Sequence, residues 1–205
     1  GHSAGAHLAA TLVTELAPPN VRSAISGLLL IGGAFDLEPI AESYVNNLVG
    51  MSADEAKRLS PVNYVPQRNI PVLLRVGEHE PSEFHRQSGL LREKWASHAT
   101  VSLAAVPGRD HFDVLEELDT PGGSLLRDAR ALLQAHYDSK GTELNEARLR
   151  MARIPDGAIL IDNPVSIAPG FTMENVHVMA GVPAVFQAMV ATILPTLTGG
   201  APLLS

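Results

Sequence analysis

Cysteine is absent from the 205-residue chain, which excludes a disulfide framework, a thiolate nucleophile and any cysteine-based metal site. A chain without disulfides is at home in a reducing cytoplasm, and that is the expected compartment. Positive charge is also in short supply. Fifteen Lys and Arg stand against 22 Asp and Glu, a formal net charge of −7, so there is no general attraction to a phosphate backbone or an anionic membrane surface. Nucleic acid and membranes are therefore not expected partners. No stretch approaches the roughly 18 uninterrupted apolar residues of a membrane span, and the N-terminus lacks a basic and apolar signal pattern. Internal repeats, low-complexity runs and heptads are missing too, which argues against a scaffolding protein.

What is present is an ordinary globular composition, 45% hydrophobic and 18% charged, enough for one sizeable core or two small ones. The first part of the chain alternates strand-like and helix-like segments, the rhythm of an α/β sheet covered by helices. Short apolar runs at 25–31 (ISGLLLI), 71–76 (PVLLRV) and 101–106 (VSLAAV) predict buried parallel strands. Helical patterns are predicted at 4–16, 83–97, 112–119 and 123–137. The strands end near residues 32, 77 and 107, with polar residues just beyond each. Open parallel sheets build their sites outside the carboxyl ends of their strands, so chemistry is expected there.

Gly1-His2-Ser3-Ala4-Gly5 matches the G-x-S-x-G nucleophile elbow, which holds a serine on a strained turn between strand and helix. Flanking glycines are expected where a Cβ would strike neighbouring backbone. The helix begins at once, and its N-terminal dipole favours developing negative charge. Ala4, following the serine, is the expected donor of one oxyanion N–H. The bland alternative is a helix start that happens to be rich in small residues. Chain order favours the chemical reading, because α/β-hydrolases place serine, acid and histidine in that sequence. His111, in Gly108-Arg109-Asp110-His111, lies after a strand and before a helix, where such a histidine belongs; His136 and His177 have no such placement. For the acid three candidates stay open, Glu80 first, then Asp36 and Glu78. Each can orient an imidazole, and each can equally be a solvated turn charge. Glu83, near a predicted helix start, suits a capping role better.

These residues carry a resemblance. GHSAGAHLAA, GGAFDLEPI, Ser60-Pro61, VGEHEPSEFHRQS and GRDHFDVLEEL, in this order, resemble kynurenine formamidase (arylformamidase) and its esterase relatives over about residues 1–137. The resemblance implies an α/β-hydrolase with Ser3, Glu80 and His111 as nucleophile, acid and base. It also implies cleavage of a small N-formyl amide or acyl ester, such as N-formylkynurenine, without metal or organic cofactor. That family usually has aspartate at the position of Glu80, and the longer side chain predicts a slightly retracted backbone. Its members also carry an upstream His-Gly-Gly stretch and further strands that this sequence, which begins with glycine rather than methionine, does not contain. Loss of one oxyanion donor costs about 3 kcal/mol. Little turnover by the chain alone, and self-association through exposed sheet edges, are therefore expected.

From about residue 139 the pattern changes. Asp138-Ser139-Lys140-Gly141-Thr142 forms a polar junction, setting domains at 1–138 and 139–205. Beyond it lie helix-like 143–153, strand-like 157–161 and 175–179, and helix-like 182–194. NEARLRMARIPDGAILIDNPVSIAPGF followed by NVHVMAGVPAVFQAM is similar to the molybdopterin-binding domain of competence/damage-inducible protein A, which implies a small, partial α/β unit. In that resemblance Gly181 and Pro183 belong to a loop able to aim backbone N–H groups at an anion, and a pterin- or nucleotide-binding module is the alternative function. A tight turn needed only for packing explains the same residues equally well.

Overall fold

Leu28, Leu29, Leu30 and Ile31 form β1, and their alternation settles how the sheet is covered, because successive side chains of a strand point to opposite faces. Leu28 and Leu30 enter one core cluster with Val72, Leu74, Leu91 and Trp95. Leu29 and Ile31 enter another with Val106, Val114 and Leu125. A strand apolar on both faces belongs to a parallel sheet with helices on either side. The computed structural model has this arrangement. It describes residues 1–145, 158–161, 164–165, 170–174, 176–179 and 183–196, and the chain divides into two compact units, Gly1–Thr142 and Glu143–Ser205.

In the first unit β1 (Leu28–Ile31), β2 (Pro71–Gly77) and β3 (Thr100–Val106) form a parallel sheet in that order. Leu28 pairs with Val72 and Val72 with Val101. The opening residues extend the sheet beyond β1: His2 bridges Ile31 in parallel, Ile31 N–H donates to the Gly1 carbonyl at 2.9 Å and Ser3 N–H to the Ile31 carbonyl at 2.9 Å. The first helix, α1 (Ala4–Thr11), follows immediately. It is shorter than the expected 4–16 and is succeeded by α2 (Pro19–Ala24), which proline opens. Three short helices lie between β1 and β2: α3 (Glu38–Ala41), α4 (Asn46–Val49) and α5 (Ala53–Leu59). The last begins with a capping box in which Ser52 and Glu55 satisfy each other's backbone N–H. After β2 comes α6 (Ser82–Trp95), and after β3 come α7 (Glu116–Asp119) and α8 (Ser124–Ser139).

α1 and α6 cover one face of the sheet, with Ala6, Ala10, Leu91 and Trp95 fully buried in the larger cluster. α8 covers the other through Leu125 and anchors there by an ion pair from Asp128 to the buried Arg75 of β2. The expected strand at 25–31 is trimmed to its last four residues, since Ile25 instead ends α2. The expected strands after Pro71 and around 101–106 appear with their bounds shifted by a residue.

In the second unit β4 (Ile159–Ile161), β5 (Gly170–Met173) and β6 (Val176–Val178) form an antiparallel sheet in that order. Ile161 is buried with Val185 and Met189 of α9 (Pro183–Ile193). The strand at 170–173 was not among the expected elements. Residues 146–153 of the expected first helix of this unit lie outside the described residues.

Candidate active site

Ser3 sits between the strand-like opening residues and α1 with φ 53° and ψ −122°, a backbone conformation that side-chain-bearing residues rarely adopt and that functional turns hold under strain. The turn is kept by Ser3 N–H on Ile31, and by Gly5 N–H on the His2 carbonyl at 2.8 Å. Ala4 is the first residue of α1, so its N–H is among those without an intrahelical acceptor and points out of the helix start. The two flanking glycines are not equivalent. A Cβ on Gly1 would lie 2.2 Å from the Gly5 carbonyl oxygen, whereas one on Gly5 would meet nothing within 4 Å. The expectation that both are sterically required is corrected at Gly5, because its position on α1 faces open space.

His111 reaches Ser3 from the loop after β3. Its Nε2 lies 3.0 Å from Ser3 Oγ, and its Nδ1 lies 2.7 Å from Glu80 Oε2. The Glu80 side chain is fully buried and the imidazole 17% exposed, so this line of three groups is largely shielded from water. Glu80 closes the turn after β2: its N–H donates to the Gly77 carbonyl at 3.1 Å, while Oε1 accepts from Gly77 N–H at 2.8 Å. Its longer side chain is accommodated by folding back onto its own turn. The carboxylate thus has one oxygen on backbone and the other on imidazole, so neither is left unsatisfied in a dry site.

Close packing fixes the two loops that bring these groups together. His79 N–H donates to the Arg109 carbonyl at 2.8 Å, and Gly108 N–H to Glu78 Oε2 at 2.7 Å. A Cβ on Gly77 would lie 2.5 Å from the Arg109 carbonyl oxygen, so only glycine lets the loops approach this closely. Gly32, at the end of β1, has φ +49°, and a Cβ there would fall 2.8 Å from both Glu80 carboxylate oxygens. Next to the histidine, Asp110 Oδ1 accepts from the N–H groups of Phe112 and Asp113. Those donors hold the exposed Asp110 carboxyl below its ordinary value.

Two of the three acid candidates are placed elsewhere. Asp36 pairs with Arg86 at 2.8 Å and caps the N–H of Glu38; its loop is tied to α6, away from the imidazole. Glu78 spends its carboxylate on Gly108 N–H. Both assignments as histidine partner are therefore corrected, because the carboxylate contacts of Asp36 and Glu78 are made with Arg86 and Gly108, while His111 Nδ1 meets Glu80. Glu83 lies in the first turn of α6 and binds Arg86 at 2.7 Å, which holds its carboxyl below the ordinary value with help from Gln87. In the second unit, Pro183 is the first residue of α9, while Gly181 lies outside the described residues. Among the described residues no cluster of three His, Asp or Glu side chains is placed to hold a metal ion, and no helix is long and apolar enough to cross a membrane.

Sequence reasoning overlooked several neighbours of the line. The His111 ring lies 4.6 Å from the His2 ring and 4.4 Å from the Phe84 ring, centroid to centroid. Gln87, 2% exposed, receives the N–H groups of Phe35 and Asp36 on Oε1 at 2.6 and 2.9 Å, and so braces the loop after β1 from α6. All three sit in the quoted stretches GHSAGAHLAA and VGEHEPSEFHRQS, but no periodicity distinguishes them from packing residues.

His2 carries a prediction about pH. Burial lowers its pKa, and the neighbouring His111 lowers it further, against smaller opposing effects of the His111 backbone and Glu80. The Nε2 of His2 is buried without a hydrogen-bond partner. Because the folded state resists a proton that the unfolded chain accepts near 6.5, the unfolded state binds more protons just below that pH, and stability falls as pH drops from about 6.5 towards 5. The carboxyls of Glu83 and Glu117, held low in the fold, lose their contributions only at more acid pH. His2→Gln is expected to flatten the decline in urea midpoint between pH 6.5 and 5, and an unchanged slope would remove His2 as its source.

Comparison with known proteins supplies partial matches. A protein from Salmo salar named kynurenine formamidase is 37% identical over 126 residues, 58% of this chain and 43% of that protein. A crystal structure from Silicibacter sp. TM1040, named as a candidate thioesterase, superposes with a TM-score of 0.51 at 32% identity, covering 62% of this chain and 47% of that one. A Myxococcus xanthus protein named CinA-like is 32% identical over 104 residues, 47% of this chain and a quarter (25%) of that protein. No family model matches. The chain spans less than half the length of these relatives. The parallel sheet of the first unit, with helices on both faces, is part of an α/β-hydrolase fold.

Proposed function

We propose that the first unit carries serine-hydrolase chemistry on a small N-formyl amide or acyl ester, with Ser3 as nucleophile, His111 as general base and Glu80 as the acid that orients it. The observation that carries this reading is the unbroken hydrogen-bonded line from Ser3 Oγ through the two ring nitrogens of His111 to a fully buried carboxylate, with the serine on a strained turn at a helix start. Similarity to a protein named kynurenine formamidase supports a hydrolase of this type.

With Nδ1–H donated to Glu80, the lone pair of Nε2 faces Ser3 and takes the hydroxyl proton as Oγ bonds to the carbonyl carbon. The carbonyl π pair moves onto oxygen, where the Ala4 N–H and the α1 dipole stabilise the oxyanion. As the tetrahedral adduct collapses, the bond to the leaving nitrogen or oxygen breaks and that atom takes the proton from Nε2. Water then repeats the sequence: Nε2 removes its proton, hydroxide oxygen bonds to the acyl carbon, the Ser3 ester bond breaks, and Oγ recovers a proton while the acid departs.

Labelling with a fluorophosphonate tests the assignment, since the probe phosphonylates only an activated serine. The parent chain is expected to label, and Ser3→Ala and His111→Ala are expected not to. Labelling that survives in Ser3→Ala would refute the nucleophile; no labelling of a cooperatively folded parent would refute the activity.

A further inference from the structure

The Ser3 hydroxyl opens onto a hollow of about 600 Å³, within the size range that holds drug-sized molecules and far larger than a formyl group needs. Its wall is formed largely by Leu37, Ile40, Val45, Val49, Met51 and Phe84, contributed by the segment between β1 and α5 and by the start of α6. Apart from Ser3 itself and Tyr44, which is 84% exposed at the rim, the polar side chains on this wall are already engaged. His7 donates its Nε2–H to the Leu59 carbonyl at 2.9 Å, and Ser43 its hydroxyl to the Ile40 carbonyl at 2.9 Å. Gln87 is used at both ends, by two backbone N–H groups and by Glu83 at 3.0 Å. Glu83 is the charged residue of the wall, and it is anionic. The adjacent cation, Arg86, is held by Glu83 and by Asp36.

We infer that this hollow receives a neutral, apolar acyl or aryl group of the substrate and selects against a carboxylate. The inference rests on the serine-hydrolase reading and adds a substrate class to it. An apolar group entering the hollow leaves water for matching surface. A carboxylate would give up part of its hydration against an apolar wall, find no Lys or Arg among the described wall residues, and meet Glu83 instead; an unpaired charge leaves water only at a cost. A free amino acid bearing its carboxylate into this hollow is thus a poor fit, whereas a medium-chain or aromatic ester is a good one.

Two pairs of substrates matched in size test the inference on the full chain: p-nitrophenyl pentanoate against p-nitrophenyl hemisuccinate for the acyl side, and phenyl acetate against 4-carboxyphenyl acetate for the leaving group. The expected result is a kcat/KM on the order of tenfold higher for the neutral member of at least one pair, because a partly desolvated charge without a partner, set beside Glu83, discriminates more than a methylene does. Val49→Arg, at a wall position 60% exposed, places a guanidinium in the hollow and is expected to shrink that preference severalfold. Equal or better turnover of the anionic member in both pairs, in a chain whose labelling depends on Ser3, overturns the selectivity while leaving the hydrolase reading intact. Absence of Ser3-dependent labelling and turnover overturns both.

Discussion

Replacing Glu80 with glutamine should lower the kcat that the chain shows for ester hydrolysis by up to roughly ten-thousandfold, the scale on which a wrong imidazole tautomer costs a complete serine triad, and down to background where the starting rate is small, without unfolding the chain. The side chain is fully buried with two hydrogen-bond partners, Gly77 N–H and His111 Nδ1. Glutamine keeps shape and volume, and its carbonyl oxygen can still accept from Gly77. Its NH2 group then faces Nδ1 and forces that nitrogen to become an acceptor. The ring proton moves to Nε2, which points at Ser3 Oγ, and a protonated nitrogen cannot take the serine proton. The negative charge that would stabilise the imidazolium is removed as well. Glu80→Asp retains charge but is one methylene short of satisfying both Gly77 and His111, so activity between parent and glutamine variant is expected. Steady-state rates at pH 7 to 8, with circular dichroism to verify the fold, decide the matter. A glutamine variant within tenfold of the parent would remove Glu80 from its assigned role.

The same residues show why part of the site was legible beforehand and part was not. Ser3 and His111 could be found because each is tied to a sequence-local event, a small-residue turn before a helix and a loop closing a strand. Chain order then linked them. The acid could only be ranked, because residues 78 and 80 lie on one tight turn and the sequence does not say which way each points. Glu78 turned to Gly108 and Glu80 to His111, at the place where Gly77 closely approaches the Arg109 carbonyl. That approach is a contact between residues more than 30 positions apart and leaves no periodic trace. Gln87 and Phe84 were hidden for the same reason, since they act across space on the loop after β1 and on the imidazole.

Strands were recognised where both faces are buried. The run at 28–31 is apolar throughout and that at 71–77 is apolar but for the ion-paired Arg75, because each feeds a core on either side, whereas β3 keeps small and polar residues exposed on the sheet edge and was recognised from Val101, Leu103 and Val106. In the second unit the signal is weaker. β5 begins at Gly170, whose hypothetical Cβ would lie 2.3 Å from the Val178 carbonyl oxygen. A glycine at a strand start, required by cross-strand packing, carries no apolar side chain from which a strand could be read.

Trp95→Ala should produce the largest loss of stability in the first unit, about 3–5 kcal/mol. Trp95 ends α6 with no exposed surface, packs in the main cluster under β1 and β2, and donates its indole N–H to the Tyr64 carbonyl at 2.8 Å. Truncation removes the largest side chain of that cluster and leaves a partly buried carbonyl without its indole donor, and two further effects follow from where the residue sits. The helix that carries Glu83, Phe84 and Gln87 at its other end loses its anchor, so the wall beside Ser3 loosens with it. Tyr64, which lies ahead of β2, loses its tie to the same helix. Against a total stability of about 5–15 kcal/mol for a domain, this lowers the melting midpoint on the order of 10 °C. Trp95→Phe keeps most of the buried volume and loses only the N–H, so a loss of about 1–3 kcal/mol is expected from the orphaned carbonyl. Because Trp95 is the sole tryptophan, its fluorescence follows unfolding of the first unit in the parent, and far-ultraviolet circular dichroism follows the variants. A Trp95→Ala midpoint within about 2 °C of the parent, which corresponds to no more than about 1 kcal/mol, would show that α6 is held to the sheet mainly by other contacts.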